Sequence, residues 1–230
     1  MKEVNVREEI AQKKKEIRRA ALMRRDCLSA EKRAEYDAEI KERVHNLTCY
    51  GEADIILAYA GYRSEAGTAA LIKQALFMGK TVFAPKVSGD EMEFWQITSP
   101  EDLRKGYRGI PEPVGSITLP DWIARDAKSI FARNRESGSD GAALYRAMMW
   151  MPGAVFDRQR HRIGYGGGFY DRYLVRLSDL QQKLEESNIK LCLTTAALAY
   201  DCQMEERIPF EPHDIRPDMV ITEKGTTGIC

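Results

Sequence analysis

Four glycines fall within five residues of the stretch "HRIGYGGGFYDRYL" (161–174): Gly164, Gly166, Gly167 and Gly168. Glycine costs about 0.5–1 kcal/mol relative to alanine inside regular structure, so such a run is either slack or a device. Successive glycines that run into a helix can turn several main-chain N–H groups toward one point. With the positive end of the helix dipole they make an anion site, and phosphate is its usual guest. Arg162 stands just before the run and suits phosphate oxygens. Asp171 follows it, in the first turn of the next helix, where a carboxylate favours the dipole. A carboxylate there can also hold Mg2+, which takes one or two such groups together with phosphates and waters. Phe169 and Tyr170 fit either a planar ring or the core. The plain alternative for the glycines is a flexible or tight turn. Two familiar phosphate loops are excluded: the chain has no GxxxxGK[ST], and Gly164-x-Gly166-x-x ends on Phe169 instead of a third glycine.

The elements that must carry this loop can be read from periodicity. A basic helix is expected over 7–27 and a second from Ser29, its N-cap, to about Leu47. "ADIILAYA" reads as a buried strand, "TAALIKQALFMG" as a helix stopped by Gly79, "KTVFAPKV" as a strand ending at Pro85 and "EMEFWQI" as a half-buried strand. A short helix is expected around Pro100 to Leu103. Residues 104–141 read as loops with one helix near "LPDWIARDA", and "NRESGSDG" as the most mobile segment. The strand "ALYRAMMWMPG" then leads to the glycine loop and the amphipathic helix "FYDRYLVRLSDLQQKLEES". "IKLCLTTAALAY" is a further buried strand, and the tail loops into a final one. Strands alternating with helices imply an α/β fold, a mainly parallel sheet with helices on both faces. In such a sheet the loop lies where ligands bind, beyond a strand's carboxyl end.

Bulk composition narrows the class. The 230 residues suit one α/β domain spanning 1–230, and no internal repeat or domain boundary is visible. The 35 basic and 35 acidic residues balance, which argues against a nucleic-acid or membrane-surface binder. No apolar run approaches the roughly 18–20 residues that span a bilayer. The charged N-terminus lacks the apolar core of a secretory signal. The five cysteines are scattered, which reads as reduced thiols in a cytoplasmic protein.

The segment "MPGAVFDRQRHRIGYGGGFYDRYL" (151–174) resembles the signature of the 5-formyltetrahydrofolate cyclo-ligase family. "KKEIRRAALMRRDCLS", "SEAGTAALIKQALFMGKTVFAPKV", "MEFWQITSPEDLRKGYRGIPEP" and "IPFEPHDIRPDMVITE" resemble other blocks of that family in the same order, so the likeness covers about 13–224. The resemblance implies an ATP- and Mg2+-dependent ligase of folate one-carbon metabolism. It would turn 5-formyltetrahydrofolate, with or without a polyglutamate tail, into 5,10-methenyltetrahydrofolate, releasing ADP and phosphate. The implied route phosphorylates the formyl oxygen and closes the ring through N10. The implied fold is three-layer α/β/α, similar to the sugar-phosphate isomerase and CoA-transferase group, in a cytoplasmic monomer.

By the same resemblance Arg162, Lys14 and Asp171 are the catalytic group. Lys14, Arg18, Arg162, Gly164, Tyr165, Gly166, Gly167, Gly168, Phe169 and Tyr170 meet ATP. Asp171 and Asp214 hold the metal. Ala60 and Glu65, with Tyr165, Gly166, Gly167, Gly168 and Phe169, meet the folate. Lys14 and Arg18 share a helix face. Three departures from the family pattern stand out. Ala66 and Gly67 replace a branched residue and an acid, which points to a looser folate-side turn. Arg160 stands where glycine is common, which points to a turn at "DRQRHR" built differently. "YRAMMW" replaces a strand that normally starts Asp-Leu. Two other readings remain beside this one: a same-fold ATP-dependent enzyme acting on another heterocycle, and a non-catalytic folate- or nucleotide-binding protein.

Overall fold

In the computed structural model, which describes residues 2–106, 109–137 and 141–229, helix α1 (Lys2–Asp26) opens the chain. Ser29 caps α2 (Ala30–His45) by accepting the Lys32 N–H, as the sequence predicts. A short α3 (Thr48–Glu52) leads into β1, which is ladder-paired only over Ile55–Leu57. Helix α4 (Ala69–Phe77) ends before Gly79, whose φ of 75° is the left-handed stop that glycine favours.

The next strand, β2 (Thr81–Ser88), does not end at Pro85. It pairs with β1 only as far as Phe83, so beyond that point one edge is open and proline's missing N–H breaks no ladder bond there. β3 (Glu91–Ile97) returns antiparallel, followed by a 3₁₀ turn at Pro100–Asp102. The stretch expected to be loop holds a small separate hairpin of β4 (Leu103–Lys105) and β5 (Pro111–Pro113), and then a long α5 (Leu119–Ser137). Strands of three residues are too short for an alternation to declare itself. The segment expected to be most mobile therefore begins inside α5, and 138–140 lie outside the described residues.

Strand β6 (Ala143–Met151) is followed by a hairpin the sequence pattern does not reveal, β7 (Val155–Asp157) and β8 (Arg162–Ile163). Then come α6 (Phe169–Glu186), β9 (Ile189–Leu198), β10 (Met204–Glu205), β11 (Met219–Thr222) and β12 (Gly225–Gly228). The main sheet has seven strands in the order β12-β11-β9-β6-β1-β2-β3. Its five inner strands are parallel and its two edge strands antiparallel. The terminal β12 was not anticipated.

Side chains alternate across this sheet. Ile56, Met148 and Trp150 pack under α2, α3 and α4, while Leu57, Met149 and Met151 pack under α5 and α6. The result is the expected three-layer α/β/α arrangement. Helix α1 belongs to neither layer. It lies across the carboxyl ends of the strands, with Ala21 buried against Val155 and Ile163 of the small hairpin. Cys27, Cys192 and Cys202 are free thiols, but Cys49 is disulfide-bonded, which corrects the expectation of reduced cysteines throughout. Among the described residues no helix is long and apolar enough to cross a membrane.

Candidate active site

Three connections leave the carboxyl ends of β1, β6 and β9, and all three meet α1. The β7–β8 hairpin brings Arg162 to the start of the glycine loop. The guanidinium is buried, at 7% exposure. Its Nη2 donates to both carboxylate oxygens of Asp171, at 2.9 and 2.8 Å. Its Nε is buried with no protein partner. A buried guanidinium N–H without an acceptor is costly, so an acceptor from outside the chain suits this position. Asp171 Oδ1 also accepts the Ile215 N–H at 3.1 Å, which draws the 211–215 segment to the start of α6.

The loop itself needs its glycines. Gly166 (φ 98°) and Gly168 (φ 63°) lie in the left-handed region, and Gly168 caps α6 without a side-chain bond. A Cβ on Gly167 would sit 2.7 Å from the Phe169 ring. Among the described residues no protein acceptor takes the main-chain N–H of Tyr165, Gly166, Gly167 or Gly168. The run is therefore a built bend with open donors next to a helix N-terminus.

Helix α1 supplies the cations. Arg18 Nε donates to the Gly164 carbonyl at 2.7 Å, and its guanidinium hangs beside Gly166. One turn earlier, Lys14 Nζ donates to Glu211 Oε2 at 2.8 Å and Asp214 Oδ2 at 2.5 Å. Burial lowers the Lys14 pKa, but the hydrogen bonds to Asp214 and Glu211 outweigh it and hold the ammonium above its ordinary value. Glu211, His213 and Asp214 each offer a ligand atom within 4.8 Å of the others. Oxygen donors dominate that set and an ammonium ion already sits among them, so the residues fit a small hard cation. Asp171 and Asp214, expected to share a metal, are thus drawn together through Ile215, but each carboxylate is also engaged by a protein cation.

On the folate side Ala60 is buried at 8% exposure just after β1. Glu65 Oε2 accepts the Tyr62 N–H at 2.8 Å. Burial raises the Glu65 pKa, opposed by hydrogen bonds from Tyr165 and the Tyr62 N–H and by the charge of Arg25. Tyr165 leaves 45% of its surface exposed, while its hydroxyl is tied down by Arg25 Nη1 at 2.6 Å. Phe169 lies under the Arg172 guanidinium, 5.1 Å from its centroid. Tyr170 is partly buried against both core clusters, edge-on to Phe94 and with its ring centroid 5.9 Å from the Arg162 guanidinium, so of the two aromatics it is the less free to meet a ligand.

Two of the sequence departures have a definite place in the fold. The turn after Glu65 is not loose. The Gly67 N–H donates to Asp37 Oδ1 at 2.8 Å, and a Cβ there would strike Asp37 Oδ2 at 2.5 Å, so glycine is what lets α2 close on the turn. Tyr59 donates to the Ala66 carbonyl at 2.8 Å and Tyr200 donates to Asp37 at 2.7 Å behind it. At the 158–161 turn Arg160 adopts φ 67°, a left-handed angle that favours glycine. Sequence reasoning missed Glu211, Arg25 and Asp37. Each acts on a group far away in the chain, and only Glu211, three residues before Asp214, sat close enough to a chosen residue to be noticed.

A family model described as the 5-formyltetrahydrofolate cyclo-ligase family matches residues 10–223. A mouse protein named 5-formyltetrahydrofolate cyclo-ligase is 25% identical over 212 residues, 91% of this chain and 93% of its own. One of the same name from Haemophilus influenzae is 25% identical over 207 residues, 89% of this chain and 94% of its own. The solution structure of Aquifex aeolicus 5,10-methenyltetrahydrofolate synthetase superposes with a TM-score of 0.69 at 26% identity, covering 94% of this chain and 92% of its own.

Proposed function

The chain belongs to the 5-formyltetrahydrofolate cyclo-ligase family, and from that premise we propose that it converts 5-formyltetrahydrofolate to 5,10-methenyltetrahydrofolate with ATP as co-substrate and Mg2+ as the metal. The observation that carries this reading is the open bend of amides at 165–168, flanked by Arg18 and by Arg162 with its unpartnered Nε. An N-formyl group is a poor electrophile, since its nitrogen lone pair feeds the carbonyl, and phosphorylation of the oxygen relieves that. The protein's part in such a transfer is positioning and charge stabilisation.

The glycine amides and Arg18 hold the phosphates, and Arg162 meets the charge that develops on the transferred group. Lys14 leaves its carboxylates and turns to the nucleotide, which frees Asp214 and Glu211 for the metal, with Asp171 beside them. Magnesium, when bound, supplies positive charge to the phosphate oxygens. Glu65 accepts paired N–H bonds from the pterin ring, Ala60 offers main-chain contact, and Tyr165 and Phe169 flank the folate. No proton-relay triad is needed.

The test is the methenyl absorbance that grows when 5-formyltetrahydrofolate is supplied. It should rise only with Mg2+ and ATP together, with one phosphate released per turnover. Phosphate release on some other heterocycle alone would favour a different ligase of the same fold. Tight binding of both ligands without phosphate release would favour a non-catalytic protein.

A further inference from the structure

Beyond the residues that meet ligands, Arg25 draws together groups from three parts of the chain. It is 4% exposed, deeply buried for a guanidinium. Its Nε donates to Ser64 Oγ at 3.0 Å, next to Glu65. Its Nη1 donates to the Tyr165 hydroxyl at 2.6 Å, at the tip of the glycine loop, and its Cζ lies 5.7 Å over that ring. Ser64 in turn donates to Asp26 Oδ1, so the neighbouring α1 residue locks the same turn. The Tyr165 hydroxyl also faces the Glu65 carboxylate, whose charge, after burial, raises the phenol's pKa. Arg25 lies two turns beyond Arg18 on α1, so one rigid helix sets the spacing of the carboxylate cluster, the glycine bend and the Glu65 turn.

We propose that Arg25 is a positioning residue that clamps the Ser64–Glu65 turn to Tyr165, so that the folate half of the site is assembled against the phosphate half. This rests on the reading of Glu65 and Tyr165 as folate contacts. A planar fork can hold two partners at fixed angles, which a lysine cannot. Burial pushes Glu65 toward its neutral form, and the hydrogen bonds from Tyr165 and the Tyr62 N–H, with the charge of Arg25 after them, oppose it. Facing that carboxylate are the Tyr62 N–H, the Tyr165 hydroxyl and Arg25, with Tyr59 and Tyr170 nearby. The Tyr200 hydroxyl, bonded to Asp37, reaches the Glu65 carbonyl. Arg25 is the cation of this group, so removing it moves Glu65 toward its neutral form, which cannot accept paired N–H bonds.

The experiment compares wild type, Arg25→Met and Arg25→Lys in the absorbance assay across pH. In Arg25→Met the KM for 5-formyltetrahydrofolate should rise about tenfold while the KM for ATP moves far less. The acidic limb of kcat/KM for the folate should move to higher pH, because a charge that favours the ionised Glu65 is gone. Arg25→Lys should restore the limb, because the charge returns, yet keep a raised folate KM, because the fork does not. If Arg25→Met fails to fold, Arg25→Lys still carries the KM comparison. Unchanged folate KM and limb in folded variants, or equal losses toward both substrates, would overturn the clamp. Wild-type protein without turnover would overturn the proposed activity and the clamp with it, whereas failure confined to the variants' behaviour leaves the activity standing.

Discussion

Replacing Lys14 by methionine should move two affinities in opposite directions. The ammonium lies 2.8 Å from Glu211 and 2.5 Å from Asp214, with the three side chains 11%, 22% and 18% exposed. Unit charges at about 4 Å attract by about 4 kcal/mol at an effective permittivity of about 20, and shorter contacts by somewhat more. Solvent access and the cost of fixing a flexible side chain bring each contact down to about 0.5–1 kcal/mol, so the two together are worth about 1–2 kcal/mol. A divalent ion that uses both carboxylates must first displace that ammonium. Since about 1.4 kcal/mol is a factor of ten, Lys14→Met should bind Mg2+ about tenfold more tightly than wild type in the absence of nucleotide. Its KM for ATP should rise, because the cation that turns to the phosphates is gone. Hydrogen bonds to the two carboxylates hold the Lys14 pKa above the ordinary 10.5 despite burial. The ammonium therefore keeps its full effect through the neutral range and loses it only as pH climbs through that raised value. The gap between wild type and variant should accordingly be flat near neutral pH. Calorimetric titration of Mg2+ into the nucleotide-free proteins reads it directly. Unchanged or weaker metal binding in Lys14→Met would refute the idea that lysine and metal compete for one place.

Asp171→Asn should abolish Mg2+-dependent turnover. It should also cost about 1–3 kcal/mol of stability, because it strips the buried Arg162 of its counter-charge; a variant as active as wild type removes Asp171 from the site. Gly167→Ala should raise the KM for ATP about tenfold, since the new Cβ meets the Phe169 ring at 2.7 Å and the bend must shift; an unaltered KM would show that the amides do not line the phosphates. Arg160→Gly should stabilise the fold by about 0.5–1 kcal/mol, the relief of a left-handed φ less the entropy glycine regains when unfolded. That gain is read as a higher denaturant midpoint at constant slope, and a lower midpoint would mean that the Arg160 side chain contributes more than its strain costs.

Much of the site was legible because its signals are local. A glycine run entering a helix declares an anion bend, and Gly166 and Gly168 do take the left-handed angles such a bend requires. The Ser29 cap, the β3 alternation and the stop at Gly79 depend on neighbouring residues and appear where they were expected. The short elements were not legible. β4, β5, β7 and β8 have two or three residues each, and their pairing is fixed by what they pack against.

The partners of the chosen residues were hidden for a different reason. Lys14 meets Glu211 across 197 positions and Arg25 meets Tyr165 across 140, and no pattern within a window can register such a pair. Chain-local chemistry, which turns and caps obey, settled where the phosphate bend and its helix lie. The folded sheet alone decided which charges face one another there, because it is the sheet that carries three distant connections to the same edge and lays α1 across them.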